Sequence, residues 1–312
     1  MWRRPPSPFS VGGDLSSDPR GGAERGGGLR RQLRGIGIVA LSGLALVACG
    51  SSGGSGKLAA QPTPSVSFAS VAAGVTAAVN QRSCARLKAV PGLVFPSGEL
   101  SDPCQVLSIL ESMRPQSSRQ LGPIGLISGT PAHGGPPQGQ ARVATFTAIF
   151  AIRPDRHWFL AMPPYPAPLP APSETSSRSH AEQFATGIRS HECDRFYSSL
   201  NHVSPTWFAA NGRTQSKQQL CSQEPFVGAT RVLLANGPAP RLDYLGSAYG
   251  TGFVGVAAAH GYLTIIVGRA FPSIAAPGGG SPGHPPSGPP PGAQTQPPRA
   301  SAPGVIGFVR NS

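Results

Sequence analysis

Residues 83–87 read Ser-Cys-Ala-Arg-Leu and residues 192–196 read Glu-Cys-Asp-Arg-Phe. Each follows a run with helical spacing: Phe68, Val71, Ala72, Val75, Ala78 and Val79 ahead of Cys84, and Phe184 and Ile188, in a run from Ser179, ahead of Cys193. Apolar residues three and four apart line one face of a helix. A loop follows each time, with Pro91, Gly92, Pro96 and Gly98 in the first case and Pro205, Asn211 and Gly212 in the second. Each loop then gives way to another helix bearing a second cysteine. Ser101-Asp102-Pro103-Cys104 opens one with Leu107, Leu110 and Met113, and Ser216 opens a short one with Leu220 and Cys221. Ser101 and Ser216 suit an N-cap, and Pro103 suits a first turn. Corresponding cysteines lie 109 and 117 residues apart, so the chain reads as an internal repeat in which one cysteine ends the first helical unit and the other sits on the next helix.

After the helices each half turns to strands. Pro123 to Ser128 is short, and Gln116 to Gln140 is so rich in Pro and Gly that a strand there is expected to be short or missing. Ala141 to Ile152 is long and alternates, with Ala144, Phe146, Ala148, Phe150 and Ile152 on one side and Thr145 and Thr147 opposite. Arg153-Pro154-Asp155-Arg156 makes a turn, and His157 to Met162 returns as a hairpin partner. In the second half Thr230–Leu234, Arg241–Ser247, Gly252–Ala259 and Tyr262–Arg269 read as strands, with His260-Gly261 as the last turn. Helices first and strands afterwards, twice over, predict an α+β fold of two tandem repeats, each with N-terminal helices packed on a curved antiparallel sheet.

The N-terminal part has another character. Arg30, Arg31 and Arg34 precede an uncharged, apolar stretch from Gly35 to Ala48, which ends Leu46-Val47-Ala48-Cys49 and runs into Gly50-Ser51-Ser52-Gly53-Gly54-Ser55-Gly56. An apolar stretch of fourteen residues matches a signal-peptide core and falls short of the roughly 18–20 that span a bilayer. The stretch resembles a bacterial lipobox. That resemblance implies cleavage before Cys49, a diacylglycerol on its thiol, and a protein on the outer face of the cell membrane. Arg30-Arg31-Gln32-Leu33 is a partial match to the twin-arginine export signature, with ordinary secretion as the alternative. Residues 1–28 lack apolar periodicity and are read as leader, not fold.

Assigning Cys49 to lipid leaves Cys84, Cys104, Cys193 and Cys221, an even number that predicts two disulfides outside the cytoplasm. Four cysteines allow three pairings, and the repeat selects Cys84–Cys104 and Cys193–Cys221. The order and size of the elements, with cysteine placement, resemble the nuclear-transport-factor-like, cystatin-like cone fold over about 65–163 and 179–271. The resemblance implies helices packed across a bent sheet, sometimes around a pocket. The expected organisation is leader and signal peptide 1–48, tether 49–64, first α+β domain 65–163, Pro-rich linker 164–178 with Tyr165 exposed or on a domain edge, second α+β domain 179–271, and a disordered Pro/Gly-rich tail 272–312. Gly304 to Val309 is apolar but is read as loose.

Composition narrows the function classes. Net charge is +13, of which +4 lies in residues 1–48. The basic residues are nearly all arginine and scattered singly, without a basic run or aromatic interleaving, so nucleic acid is not the expected partner; anionic envelope polymers or lipids remain possible ones. The seven histidines show no metal-binding spacing, no Cys-x-x-Cys occurs, and no Gly-x-Ser-x-Gly elbow is present. Asp243 and Tyr244, adjacent on a strand, point to opposite faces and do not share a cavity easily. Glu111 is read as solvent-facing. Trp158, Trp207, Phe159 and Phe226 are read as core. No catalytic, cofactor or metal residue is assigned and no cofactor is expected. The leading expectation is a non-enzymatic binding or scaffolding lipoprotein held to the membrane through Cys49, its ligand an apolar small molecule, a cell-wall polymer or an envelope protein. The alternatives are an isomerase- or dehydratase-like enzyme in a cone pocket and a purely structural spacer.

Overall fold

The structure, a computed structural model, describes residues 57–96, 100–132, 145–166, 170–202, 204, 215–222, 230–231, 233–234, 237–269 and 301–311. The fold is α+β. Helices α1 (Phe68–Asn80), α2 (Cys84–Lys88) and α3 (Pro103–Leu110) lead into strands β1 (Met113–Leu121), β2 (Ile124–Pro131), β3 (Phe146–Ile152) and β4 (Trp158–Pro166). The same order follows with α4 (Glu174–Arg189), α5 (Cys193–Ser199) and α6 (Lys217–Ser222), then β5 (Arg241–Ala248), β6 (Thr251–Ala258), β7 (Gly261–Gly268) and β8 (Gly304–Arg310). Each set of four strands is an antiparallel meander, ordered β1-β2-β3-β4 and β5-β6-β7-β8.

Caps set the helix boundaries. Ser67 and Ser173 accept from the backbone N–H groups of Ser70 and Ser176 and start α1 and α4. Both long helices end in one device. Arg82 and His191 sit in the left-handed region, at φ 49° and 58°. Ser83 N donates to Ala78 O at 3.0 Å and Glu192 N to Gly187 O at 2.8 Å, the six-to-one bond of a Schellman turn. Each turn delivers a cysteine to the first position of a short helix, and the disulfides Cys84–Cys104 and Cys193–Cys221 close with Cα separations of 4.8 and 6.0 Å.

Three cores result. On the helical side of the first sheet, Phe68 stacks against Phe150 and Trp158 with ring centroids 5.7 and 4.8 Å apart, and Trp158 Nε1 donates to Val66 O at 2.8 Å. On the helical side of the second, Phe184 meets Phe196 and Phe308 at 5.3 and 5.6 Å. The opposite faces pack on each other: Leu121, Ile124, Leu126, Ile149, Ala151 and Phe159 meet Phe253, Ile266, Ile306 and Val309. The layers run helix, sheet, sheet, helix. Burying a large apolar side chain contributes about 1.5–3 kcal/mol, so ten residues in the shared core outweigh either disulfide at roughly 3 kcal/mol. Both faces of β3 are therefore core, its even residues toward α1 and Ile149 and Ala151 toward the other sheet.

Several expectations are corrected. The two halves are not separate bodies on a stiff spacer, because their sheets share a core. Pro163, Pro164 and Pro166 belong to β4, which pairs only with β3 among the named strands; an edge position tolerates a missing N–H. Helix α4 begins at Glu174, five residues before Ser179. Met113 starts β1 instead of extending α3, and Asp102, not Ser101, caps α3 by accepting from Cys104 N at 3.0 Å. Cys84 and Cys193 open α2 and α5 instead of ending the preceding helices. Thr230, Arg231, Leu233 and Leu234 are helical, not a strand. Residues 304–310 of the presumed tail form β8, whose Val305, Ile306 and Val309 are buried. Lys57 to Pro64 of the presumed tether is docked: Ala59 N donates to Ala258 O at 2.8 Å, and Arg156 Nε donates to Thr63 O at 2.9 Å. The last hairpin turn is Ala259–His260, one residue earlier than read.

Candidate functional site

The helix–sheet spaces, where a cone pocket would lie, are occupied by the aromatic clusters of Phe68, Phe150 and Trp158 and of Phe184, Phe196 and Phe308. Glu111 is the half-buried C-cap of α3. Asp243 and Tyr244 do face opposite ways. Tyr244 packs on the helical side, whereas Asp243 pairs in register with Gly255 and takes a bidentate contact from Arg241, Nε to Oδ1 at 3.0 Å and Nη2 to Oδ2 at 2.9 Å. Tyr262, on β7, spans Gly255: a methyl group there would overlap its hydroxyl. Burial pushes the Tyr262 phenol up to about 12, and Asp243 adds to the rise while Arg241 opposes it.

Among the described residues, two of the open grooves bear on the site. One, of about 500 Å³, runs between Ala69, Ala73 and Ala77 of α1 and Gln116 and Ser118 of β1. The other, of about 520 Å³, lies beside the second disulfide, between His191, Asp194, Arg195 and Lys217. Lys217 Nζ pairs with Asp194 there.

At one end of the space between the sheets, a row of hydroxyls crosses all four strands of the first sheet. Ser117, Ser128, Thr147 and Tyr165 are successive register partners. Ser117 Oγ is 2.6 Å from Ser128 Oγ and 2.9 Å from the Tyr249 hydroxyl, and the Tyr165 hydroxyl bonds Thr251 Oγ1. Tyr249 has a φ of 49°, in the left-handed region, and with Gly250 turns β5 into β6 over this row. Arg119 Nη1 reaches Ser247 O at 3.3 Å beside it. Burial pushes the Tyr165 phenol up to about 12, against the Thr251 hydrogen bond, and Tyr165 is half-buried in the body instead of lying on an exposed spacer. Among these contacts the hydroxyls bond to one another, and no carboxylate or imidazole accompanies them.

At the other end Asn311 joins the sheets. Its Nδ2 donates to Ile152 O at 3.0 Å, its Oδ1 accepts from Thr264 Oγ1 at 2.6 Å, and its N donates to Tyr262 O at 2.8 Å. The sequence reading missed both polar layers. The signal in the sequence was Thr147, which with Thr145 lies opposite the apolar face of β3.

Among the described residues no group of three or more His, Cys, Asp and Glu could hold a metal ion. His180 and His202 are pushed below the ordinary imidazole value by burial. His157 lies 3.5 Å from Asp155 on an exposed turn. Among the described residues no helix is long and apolar enough to cross a membrane. Cys49, His133, His284, Trp207 and Phe226 lie outside the described residues, whereas Trp158 and Phe159 are buried on opposite faces of β4. No family model matches this sequence, and no curated protein matches it.

Proposed function

We propose that the chain is an exported lipoprotein, anchored by diacylglycerol on Cys49 at the outer face of the cell membrane, which acts by binding or scaffolding and not by catalysis. The observation that carries this reading is the stretch Leu46-Val47-Ala48-Cys49 after an apolar core of signal-peptide length, with the four other cysteines used up in two disulfides. Disulfides persist in oxidising compartments outside the cytoplasm. The filled helix–sheet spaces favour a body that presents surfaces over one that encloses a substrate. The halves derive from one duplicated unit of the cone type: matching element order, matching Schellman turns at Arg82 and His191, and matching disulfides support this. Fusion of the two sheets back to back gives a rigid body with its helical layers outward. Cell fractionation of Cys49→Ser tests the anchor. The native chain is expected in the membrane fraction and the variant outside it; equal membrane retention of both contradicts the reading.

A further inference from the structure

We infer that the pole of the sandwich at which Lys57 enters rests on anionic lipid headgroups; this builds on the lipoprotein reading above. Lys57 lies eight positions after Cys49, and a chain spans at most about 3.3–3.6 Å per residue, so Lys57 lies within about 28 Å of the proposed anchor. The segment from Lys57 then docks on two neighbouring turns. Ala59 bonds to Ala258 beside the β6–β7 turn, while Thr63 and Ser65 bond to Arg156 in the β3–β4 turn, Ser65 N donating to Arg156 O at 3.0 Å. The ends of β8 and β5 share this pole, since Arg310 pairs in register with Leu263 and Arg241 with Ala257. Asn311 ties the pole together through Ile152 and Tyr262.

The charges there favour an anionic surface. Lys57, Arg156, Arg241 and Arg310 are exposed and Arg153 is partly so, against two acids. Both acids are engaged, Asp155 with Arg153 at 3.6 Å and Asp243 with Arg241 at 2.9 Å. The other described acids sit on or beside helices: Asp102 and Glu111 cap α3, Glu174 and Glu182 lie in α4, and Glu192 and Asp194 begin α5. A tether of this length holds the pole at high effective concentration near the bilayer, so a few weak cation–headgroup contacts are enough to orient the body.

The test uses the full chain extracted from its membranes and placed in phosphatidylcholine nanodiscs, with or without about 40% phosphatidylglycerol, and read by amide hydrogen exchange. In the anionic discs exchange is expected to slow about tenfold at residues 153–157 and 259–262, with recovery at about 0.5 M NaCl. The variant Lys57→Gln/Arg153→Gln/Arg310→Gln is expected to lose the protection, and Arg82→Gln/Arg86→Gln/Lys88→Gln, on the α1–α2 corner, to keep it. Unchanged exchange, protection centred on α2, or protection indifferent to salt and to the first variant overturns the inference. Intact mass of the same sample separates the two claims. If Cys49 is unmodified the lipoprotein reading fails, and the surface is then decided by pelleting the chain with vesicles of the two compositions: salt-sensitive pelleting weakened by the first variant alone retains it, and equal pelleting overturns it.

Discussion

Arg82 and His191, 109 residues apart, hold the same backbone position, each in the left-handed region two residues before a disulfide cysteine. Glycine is the residue this position favours, since a Cβ there costs about 1 kcal/mol. Arg82→Gly and His191→Gly are each expected to stabilise the protein by about 0.5–1 kcal/mol, read as a raised denaturation midpoint in urea. A lower midpoint for both would show that these side chains hold something the turn geometry does not explain.

Asn311 is completely buried and connects the C-terminal strand to the first sheet through Ile152, 159 residues away. Removing its side chain leaves Ile152 O and Thr264 Oγ1 without their partner, and unsatisfied buried polar groups cost about 1–3 kcal/mol. Asn311→Ala is expected to lose stability in that range, and Asn311→Asp to lose more, because a carboxylate oxygen would face the Ile152 carbonyl. Urea titration of both variants checks the order.

Each disulfide closes a loop of 20 or 28 residues. In the chain-entropy picture such a loop stabilises by about 3 kcal/mol. Cys84→Ser/Cys104→Ser is expected to lower stability by about that much and still fold, since the three apolar cores remain. Non-reducing peptide mapping should join Cys84 only to Cys104 and Cys193 only to Cys221.

The buried phenols give a pH dependence with a definite sign. Tyr165 and Tyr262 are pushed up to about 12, so the folded state holds them neutral above the 10.0 at which they ionise when unfolded. Their contribution is complete below about pH 10 and is lost as pH rises from there toward 12. On the acidic side burial favours neutral His180 and His202, so their contribution is present above about pH 6.5 and is lost as pH falls below it through their lowered folded values. Difference absorbance at the phenolate band between the native chain and Tyr165→Phe/Tyr262→Phe should show neither of these phenols ionised at about pH 11. Ionisation of either one by then would place its hydroxyl in water.

The sandwich itself predicts cooperative unfolding. With Phe253 and Ile266 packed on Ile124 and Ile149, neither half can lose its sheet without exposing the other. Calorimetry should show one transition whose van't Hoff and calorimetric enthalpies agree; two resolved transitions would mean that the halves are independent.

What the residues revealed beforehand, and what they hid, follows from where each strand lies. Helices α1 and α4 were legible because each buries a single stripe, Phe68–Val79 and Phe184–Ile188. The hairpins β3–β4, β5–β6 and β6–β7 were legible from apolar runs between turns. Strand β1 was not, because Met-Arg-Pro-Gln-Ser-Ser-Arg-Gln-Leu shows no apolar alternation: it is an edge strand whose Ser117 and Gln120 serve hydrogen bonds, to Ser128 and to Phe68 N. Strand β8 was hidden behind a long Pro/Gly-rich stretch that set the reading for everything after it. The alternation of β3 suggested one buried face, and small Ala151 and polar Thr147 masked the second. The two polar layers between the sheets bring together residues more than 80 positions apart, such as Tyr165 and Thr251, which no local pattern announces.

The measurement that bears most directly on the account is the intact mass of the chain extracted from its native membranes. The account predicts a polypeptide beginning at Cys49, heavier by a thioether-linked diacylglycerol and lighter by two pairs of thiol hydrogens. A mass that retains residues 1–48, or a Cys49 with a free thiol, would contradict it.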